Sequence, residues 1–222
     1  MIEDLFADDD SVPRQWQESL TPGAVILRGF VLDTAPVLLQ QIDAIASCAP
    51  FRHLVTPGGH VMSVGMTNCG LLGWVSDELG YRYSGIDPVS QAPWPLMPDI
   101  FRQLAVEAAA VAGFANFNPD ACLINCYQPG SRLTLHQDKN ERDFSQPIVS
   151  VSLGLPATFL FGGLQREDVC QRFPLVHGDV MVWGGPSRLR YHAVLPLKEG
   201  IPPWPLRDAV RYNLTFRRVL AA

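Results

Sequence analysis

The sequence predicts an α+β protein that is mainly β: a sandwich or jelly roll carrying two helices. Three observations lead there. From residue 120 onward, short runs rich in β-branched and aromatic residues recur at near-regular spacing, parted by Gly and Pro. Upstream, two stretches repeat apolar residues at the helical period. The 222 residues are 47% hydrophobic and 18% charged, which supplies one full core and suits a single domain over residues 1–222.

In chain order, AVILRGFVL reads as a buried strand. DTAPVLLQQIDAIASCAP follows as a helix, with Asp33 or Thr34 as cap, Pro36 in the first turn, and Leu38, Leu39, Ile42, Ile45 and Ala46 on one stripe. Residues 51–95 differ: they are rich in Gly, Pro, Met, Trp and Tyr, with strand-like pieces HVMSVGM and YRYSGI, and read as a covering flap. A second helix is expected from about Pro98 to Ala112, with Leu104, Ala105, Ala108, Val111 and Ala112 on one stripe and Gly113 as its stop. The β-core, about residues 120–218, comprises ACLINCY, SRLTLHQD, PIVSVSLGL, ATFLFG, QRFPLVHGDVMVWGG, LRYHAVLPL and VRYNLTFRR.

The formal net charge of −5 counts against a protein whose main work is a non-specific grip on a nucleic-acid backbone. It leaves room for an enzyme with a local basic rim, for which Arg132, Lys139, Arg142, Arg166, Arg172, Arg188 and Arg190 are candidates. No apolar run reaches the length of a membrane span, and the acidic N-terminus lacks a signal-peptide core. Five scattered cysteines include no C-x-x-C. A reduced, cytoplasmic monomer without a membrane partner is therefore expected.

The polar run TLHQDKN puts His136 and Asp138 two apart. Alternate residues of a strand share a face, so the two can converge on one point. Two His and one carboxylate on one face of a metal, with other positions open, mark the non-haem Fe(II) oxygenases. The spacing alone is weak, because five His among many Asp yield such pairs by chance, and the chain has a second pair, His177/Asp179. Gly178 makes that second pair read as a turn, where Asp satisfies backbone N–H groups. By pattern, the third ligand stays open among His53, His60, His177 and His192.

VRYNLTFRR adds a second constellation. Arg211, Asn213, Thr215 and Arg217 share one face; Tyr212, Leu214 and Phe216 share the other. This is either an outer strand with a solvated face or a barrel interior whose two guanidiniums grip a dicarboxylate. A metal site with a dicarboxylate clamp suggests a 2-oxoglutarate oxygenase. Trp74, Tyr81 and Tyr83, taken alone, read as packing residues of the flap.

HQDK, SVSLGLPATFLFGG, HGDVMVWGG, RLRYH and RYNLTFR resemble segments of the bacterial AlkB nucleic-acid demethylases, and DACLINCYQPG, FRHLVTPGG and SVGMTNCGLLGW extend the likeness over about residues 14–218. The resemblance implies a double-stranded β-helix (jelly roll) with N-terminal helices and a nucleotide-recognition flap at about 51–95. It implies Fe(II), 2-oxoglutarate and O2, with His136, Asp138 and His192 as catalytic metal ligands. Asn125, Tyr127, Arg211, Asn213 and Arg217 would bind 2-oxoglutarate, Arg211 at the far carboxylate and Arg217 at the end near iron. Trp74 would stack on a flipped base opposite His136, with Tyr81, Tyr83, Met66, Asn140 and Arg166 as further substrate residues.

The implied substrate is methylated single- or double-stranded DNA, with RNA as a further candidate. The lesions are of the 1-methyladenine and 3-methylcytosine class, and formaldehyde is released. Departures from the family pattern are Asn140, Cys126 and the longer GIPPWPLRDAV. At the position of Asn140 the family usually carries Asp, near the exocyclic amino group of the target base. Two rival readings differ in class: a 2-oxoglutarate oxygenase of a small molecule or protein, and a non-catalytic jelly-roll binding module with Arg211 and Arg217 in solvent.

Overall fold

The structure, a computed structural model, describes residues 15–220; most of the acidic N-terminal stretch that bears on export lies outside them. The chain opens with β1 (Trp16–Thr21), β2 (Ala24–Arg28) and α1 (Ala35–Cys48). Next come β3 (Arg52–Val55), β4 (Val61–Gly70), β5 (Gly73–Asp77), β6 (Gly80–Ser84) and α2 (Asp99–Val111). Strands then follow one another: β7 (Ala121–Tyr127), β8 (Leu133–His136), β9 (Ile148–Gly154) and β10 (Ala157–Phe161). The last are β11 (Gln171–Leu175), β12 (Val180–Trp183), β13 (His192–Val194) and β14 (Arg211–Arg217).

An eight-stranded sheet runs β1-β2-β12-β9-β14-β7-β4-β3, and a four-stranded sheet runs β11-β10-β13-β8. Ile26, Leu123, Tyr127, Met181 and Trp183 of the first meet Phe159, Phe161, Leu175 and Val194 of the second in one apolar cluster. The other face of the large sheet packs under α1 and α2 in a second cluster. This is a jelly roll with two helices on its back, as the strand pattern predicts.

Strand alternation sorts the large sheet. On β9, Val149, Val151 and Leu153 enter the helix-side cluster, which leaves Ser150 and Ser152 on the inner face. On β14, Leu214 and Phe216 go to the helices, and Tyr212 packs against the same cluster. Arg211, Asn213, Thr215 and Arg217 therefore point between the sheets, all buried. The solvated outer strand is excluded.

The helices follow their periodicity, with one correction. α1 buries Leu38, Leu39, Ile42 and Ile45, and Ala46 is half-buried. α2 buries Phe101, Leu104, Ala105, Ala108 and Ala109, whereas Val111 is exposed. The reason is Phe101, whose ring meets Phe216 edge-on at 6.0 Å and so sets the rotation of α2 on the sheet. Gly113, at φ +89°, ends the helix. β1 was not expected: WQESLT is a half-exposed edge strand with no apolar alternation to betray it.

Residues 51–95 divide in two. β3 and β4 extend the large sheet beyond β7, and β5 with β6 forms a separate two-stranded hairpin. The hairpin base is tight. Trp94 is buried beneath it and donates its indole N–H to Ser84 O at 2.9 Å. A Cβ on Gly73 would lie 2.4 Å from the Trp94 ring and 2.8 Å from Asn68 Cβ. Gly73→Ala is expected to destabilise the fold by about 1–3 kcal/mol through overpacking. The urea midpoint measures it, and an unchanged midpoint would show that Trp94 yields freely.

Candidate active site

Sheet register brings the first two groups together. His136 ends β8 and pairs with His192 at the start of β13, so the imidazole centroids lie 4.4 Å apart. Asp138 arrives differently. β8 stops at His136, so the same-face argument does not reach Asp138, which comes to the pair from the loop that follows. Its Oδ1 is 3.6 Å from His136 Nε2 and 3.8 Å from His192 Nε2. The donor atoms of the three residues lie within 4.8 Å of one another.

The surroundings orient the two imidazoles and keep His192 and Asp138 in the protonation states a metal needs. His136 Nδ1 lies 2.7 Å from Thr134 O, and His192 Nδ1 lies 3.0 Å from Arg190 O. A carbonyl accepts only, so the proton sits on Nδ1 and the Nε2 lone pair faces the centre. Burial, with His136 close by, pulls His192 down to about 4, which keeps it neutral. Burial pushes the Asp138 carboxyl up, but Arg217, His192 and His136 outweigh it and hold it below the usual carboxylate range. Arg217 Nε donates to Asp138 Oδ2 at 3.0 Å, with Nη2 on the same oxygen, which leaves Oδ1 toward the imidazoles. Two imidazoles that turn Nε2 to the centre, beside an ionised carboxylate, can hold a divalent ion.

His177 and Asp179 form the expected turn. Asp179 accepts from Gly29 N, Val176 N and Arg28 Nη1, and His177 Nδ1 accepts from Gly154 N. His53 and His60 are exposed, and neither joins the triad.

Of the dicarboxylate candidates, Arg211 stands out. It is 1% exposed; Nη2 donates to Ser152 Oγ at 2.9 Å, while Nε and Nη1 have no partner among the described residues. Asn125 Oδ1 is likewise buried and unpaired. Asn213 donates to Ser150 Oγ and Val151 O, and Tyr127 sits opposite Arg211 in the β7–β14 register. Arg217 does not present a free fork, because Asp138 takes it.

A cavity of about 660 Å³ joins these groups. The triad lines it, with Asn125, Tyr127, Asn213 and Arg217, and so do Met66, Trp74, Tyr81, Tyr83 and Asn140. Arg211 is not on the lining, although its neighbours Tyr127 and Asn213 are. Trp74 stacks on Tyr81 at 5.6 Å, and its Nε1 lies 3.3 Å from Asn140 Oδ1. Arg166 lies off the lining, exposed, with Nη1 on Leu135 O at 3.0 Å. The expected basic rim shrinks: Arg132, Lys139, Arg142, Arg166 and Arg172 are exposed, but Arg188 is buried and Arg190 half-buried.

Sequence reasoning missed Glu141. It is buried, accepts from Tyr83 OH at 2.6 Å and from Arg188 Nη2 at 3.0 Å, and lies 3.4 Å from Arg217 Nε. Arg188 also donates to Asp138 O at 2.7 Å. A network of charged hydrogen bonds thus ties the hairpin to the backbone and carboxylate of Asp138.

A jelly roll with this triad in its mouth defines a class, and the chain belongs to it: the 2OG-Fe(II) oxygenase superfamily, whose model matches residues 23–217. Within that class it is an AlkB-family dioxygenase. It is 57% identical over 215 residues, 97% of this chain and 97% of the relative, to Alpha-ketoglutarate-dependent dioxygenase AlkB of Escherichia coli (strain K12). It is 38% identical over 133 residues, 58% of this chain and 34% of the relative, to Nucleic acid dioxygenase ALKBH1 of Homo sapiens. The solved structure of OsALKBH1 superposes with a TM-score of 0.80 at 29% identity, covering 91% of this chain and 100% of that one.

Proposed function

We propose that this dioxygenase uses Fe(II), 2-oxoglutarate and O2 to demethylate N-methylated nucleic-acid bases of the 1-methyladenine and 3-methylcytosine class. The observation that carries this reading is the convergence of His136, Asp138 and His192 in a cavity also lined by Trp74, Tyr81 and Tyr83.

The residues fit the groups the class requires. His136 Nε2, His192 Nε2 and Asp138 Oδ1 would hold Fe(II), a donor set suited to it. Arg211 suits the far carboxylate of 2-oxoglutarate, because its two unpaired N–H-bearing nitrogens are buried where only an anion or acceptor would satisfy them. Asn125, Tyr127 and Asn213 complete that pocket. When bound, the metal, 2-oxoglutarate and O2 oxidise the N-methyl carbon to hydroxymethyl, with succinate and CO2 as by-products, and loss of formaldehyde restores the base. Arg217 keeps Asp138 ionised and turned. Trp74, backed by Tyr81, offers a face on which a flipped base can stack, with Met66 and Tyr83 closing the pocket. Arg166, outside the cavity, suits a contact with the strand that carries the base.

The β5–β6 hairpin would serve as the nucleotide-recognition flap, with α1 and α2 bracing the sheet of a single domain. DNA, single- or double-stranded, is the main substrate on this reading, with RNA a further one. All five cysteines are free, which suits a reducing cytoplasm. The described residues contain no helix long and apolar enough to cross a membrane. A monomer is the working form. The test is incubation with Fe(II), 2-oxoglutarate and methylated oligonucleotides, reading formaldehyde and repaired base. Succinate formation without base repair would favour a different substrate.

Asn140 sets a preference within that class. An indole N–H only donates, so the Asn140 atom it meets is the amide oxygen. The amide nitrogen then keeps its two donors for the cavity. A carboxylate here would accept from the amino group of 3-methylcytosine, whereas an amide donor suits the carbonyls of 3-methylthymine and 1-methylguanine. Asn140→Asp is expected to move the ratio of kcat/KM for 3-methylcytosine over 3-methylthymine upward by roughly 5- to 30-fold. A change below about 3-fold would mean that residue 140 does not read the base.

A further inference from the structure

Two side chains tie β5 to the large sheet: Ser76 Oγ of β5 donates to Val55 O of β3 at 2.6 Å, and Asn68 of β4 holds the backbone of Trp74. Trp74 of β5 faces Tyr83 of β6. In an antiparallel pair a residue either exchanges both backbone bonds with its partner or turns both outward. Trp74 turns both outward, and Asn68 takes both: Trp74 N donates to Asn68 Oδ1 at 2.9 Å, and Asn68 Nδ2 donates to Trp74 O at 3.0 Å. Asn68 is 2% exposed. It stands opposite Leu123 of β7, two residues beyond Met66 on the same face of β4, and both Leu123 and Met66 line the cavity. Trp94 and Gly73 pack against the same point from below, so this junction has little room to shift.

The ring is held as well. Tyr81 covers one face of the Trp74 indole, nearly parallel at 13°, and Asn140 takes its N–H. The backbone clamp is what fixes where that ring begins. Without it, β5 would keep its pairing to β6 and the Ser76 bond to β3 but lose its hold on β4 at Trp74, and the indole would tilt with that end of the hairpin.

We propose that Asn68 is the positioning residue for Trp74, acting as a one-residue strand that sets the indole at the height where a flipped base stacks. This rests on the proposed function, in which Trp74 is the stacking platform. The hydrogen bonds of the Asn68 side chain go to Trp74 and, among the described residues, to neither the triad nor the proposed 2-oxoglutarate residues, so its removal is felt in substrate binding and not at the metal.

The experiment compares the natural protein with Asn68→Ala, Trp74→Ala and the double variant. It reads the KM for a 3-methylcytosine oligonucleotide and succinate formation without nucleic acid. Asn68→Ala is expected to raise that KM by about 10-fold, the loss of two neutral hydrogen bonds, with succinate formation unchanged. In the Trp74→Ala background it should add nothing, because its effect passes through that ring. If Asn68→Ala does not fold, Asn68→Asp keeps the acceptor for Trp74 N but sets a carboxylate against Trp74 O, and the same KM shift is expected. A KM equal to that of the natural protein in a folded variant, or an equal loss with and without Trp74, overturns the proposal. A natural protein that forms succinate but repairs no methylated base overturns the proposed function instead, and this inference with it.

Discussion

Asp138→Asn abolishes formaldehyde release from methylated oligonucleotides, while His177→Ala retains most of it. Loss of a group that merely supports a metal ligand lowers activity by roughly 10- to 100-fold, so loss of the ligand itself should exceed about 100-fold. Asparagine is preferred to alanine because Asp138 is Arg217's partner in a buried pair. Asparagine removes the charge but keeps an acceptor oxygen for Arg217, whereas alanine leaves that buried guanidinium without either, at a cost of about 3–5 kcal/mol that would confound the assay. His177, by contrast, gives up only one hydrogen bond from Gly154 N. Metal binding measured by calorimetry, beside formaldehyde yield, decides the matter. Full activity in Asp138→Asn, or lost metal affinity in a folded His177→Ala, would reverse the assignment.

Arg211→Ala raises the KM for 2-oxoglutarate by roughly 10- to 150-fold, the equivalent of about 1.5–3 kcal/mol for a hydrogen bond to a charged group. The structure sharpens the expectation. Two of the three guanidinium nitrogens of Arg211 lack partners among the described residues, so this buried cation is one that the far carboxylate of 2-oxoglutarate would satisfy. Melting temperature should therefore rise with 2-oxoglutarate in the natural protein and not in Arg211→Ala. An unchanged KM would remove Arg211 from the pocket.

Much of this was legible in the sequence. The division of β14 into two faces is legible because strand alternation is a strict period, but the burial of its polar face is not, since that depends on the second sheet across from it. His136 and Asp138 were legible as a candidate pair. The third ligand was not, since four other histidines were eligible until a family resemblance singled out His192; the β8–β13 register that pairs it with His136 is a long-range fact that no local pattern carries. Glu141 is hidden because a Glu in KNERD reads as a solvated charge, and Arg188 reads as a rim cation. Their burial depends on each other, and neither is predictable alone. The hairpin boundary inside residues 51–95 was hidden because β4 changes role along its length, from an exposed end at Val61 to a buried centre.

The two faces of β14 also constrain how the chain can fold wrongly. A slip of one residue against β7 or β9 would turn Tyr212, Leu214 and Phe216 into the polar cavity and drive two arginines, an asparagine and a threonine beneath the helices. Two unpaired guanidiniums in an apolar layer are untenable. The polar face of β14, proposed to bind an anion and orient a carboxylate, thus acts as a ratchet on strand alignment: a slip by an odd number of residues leaves its charges no place to go.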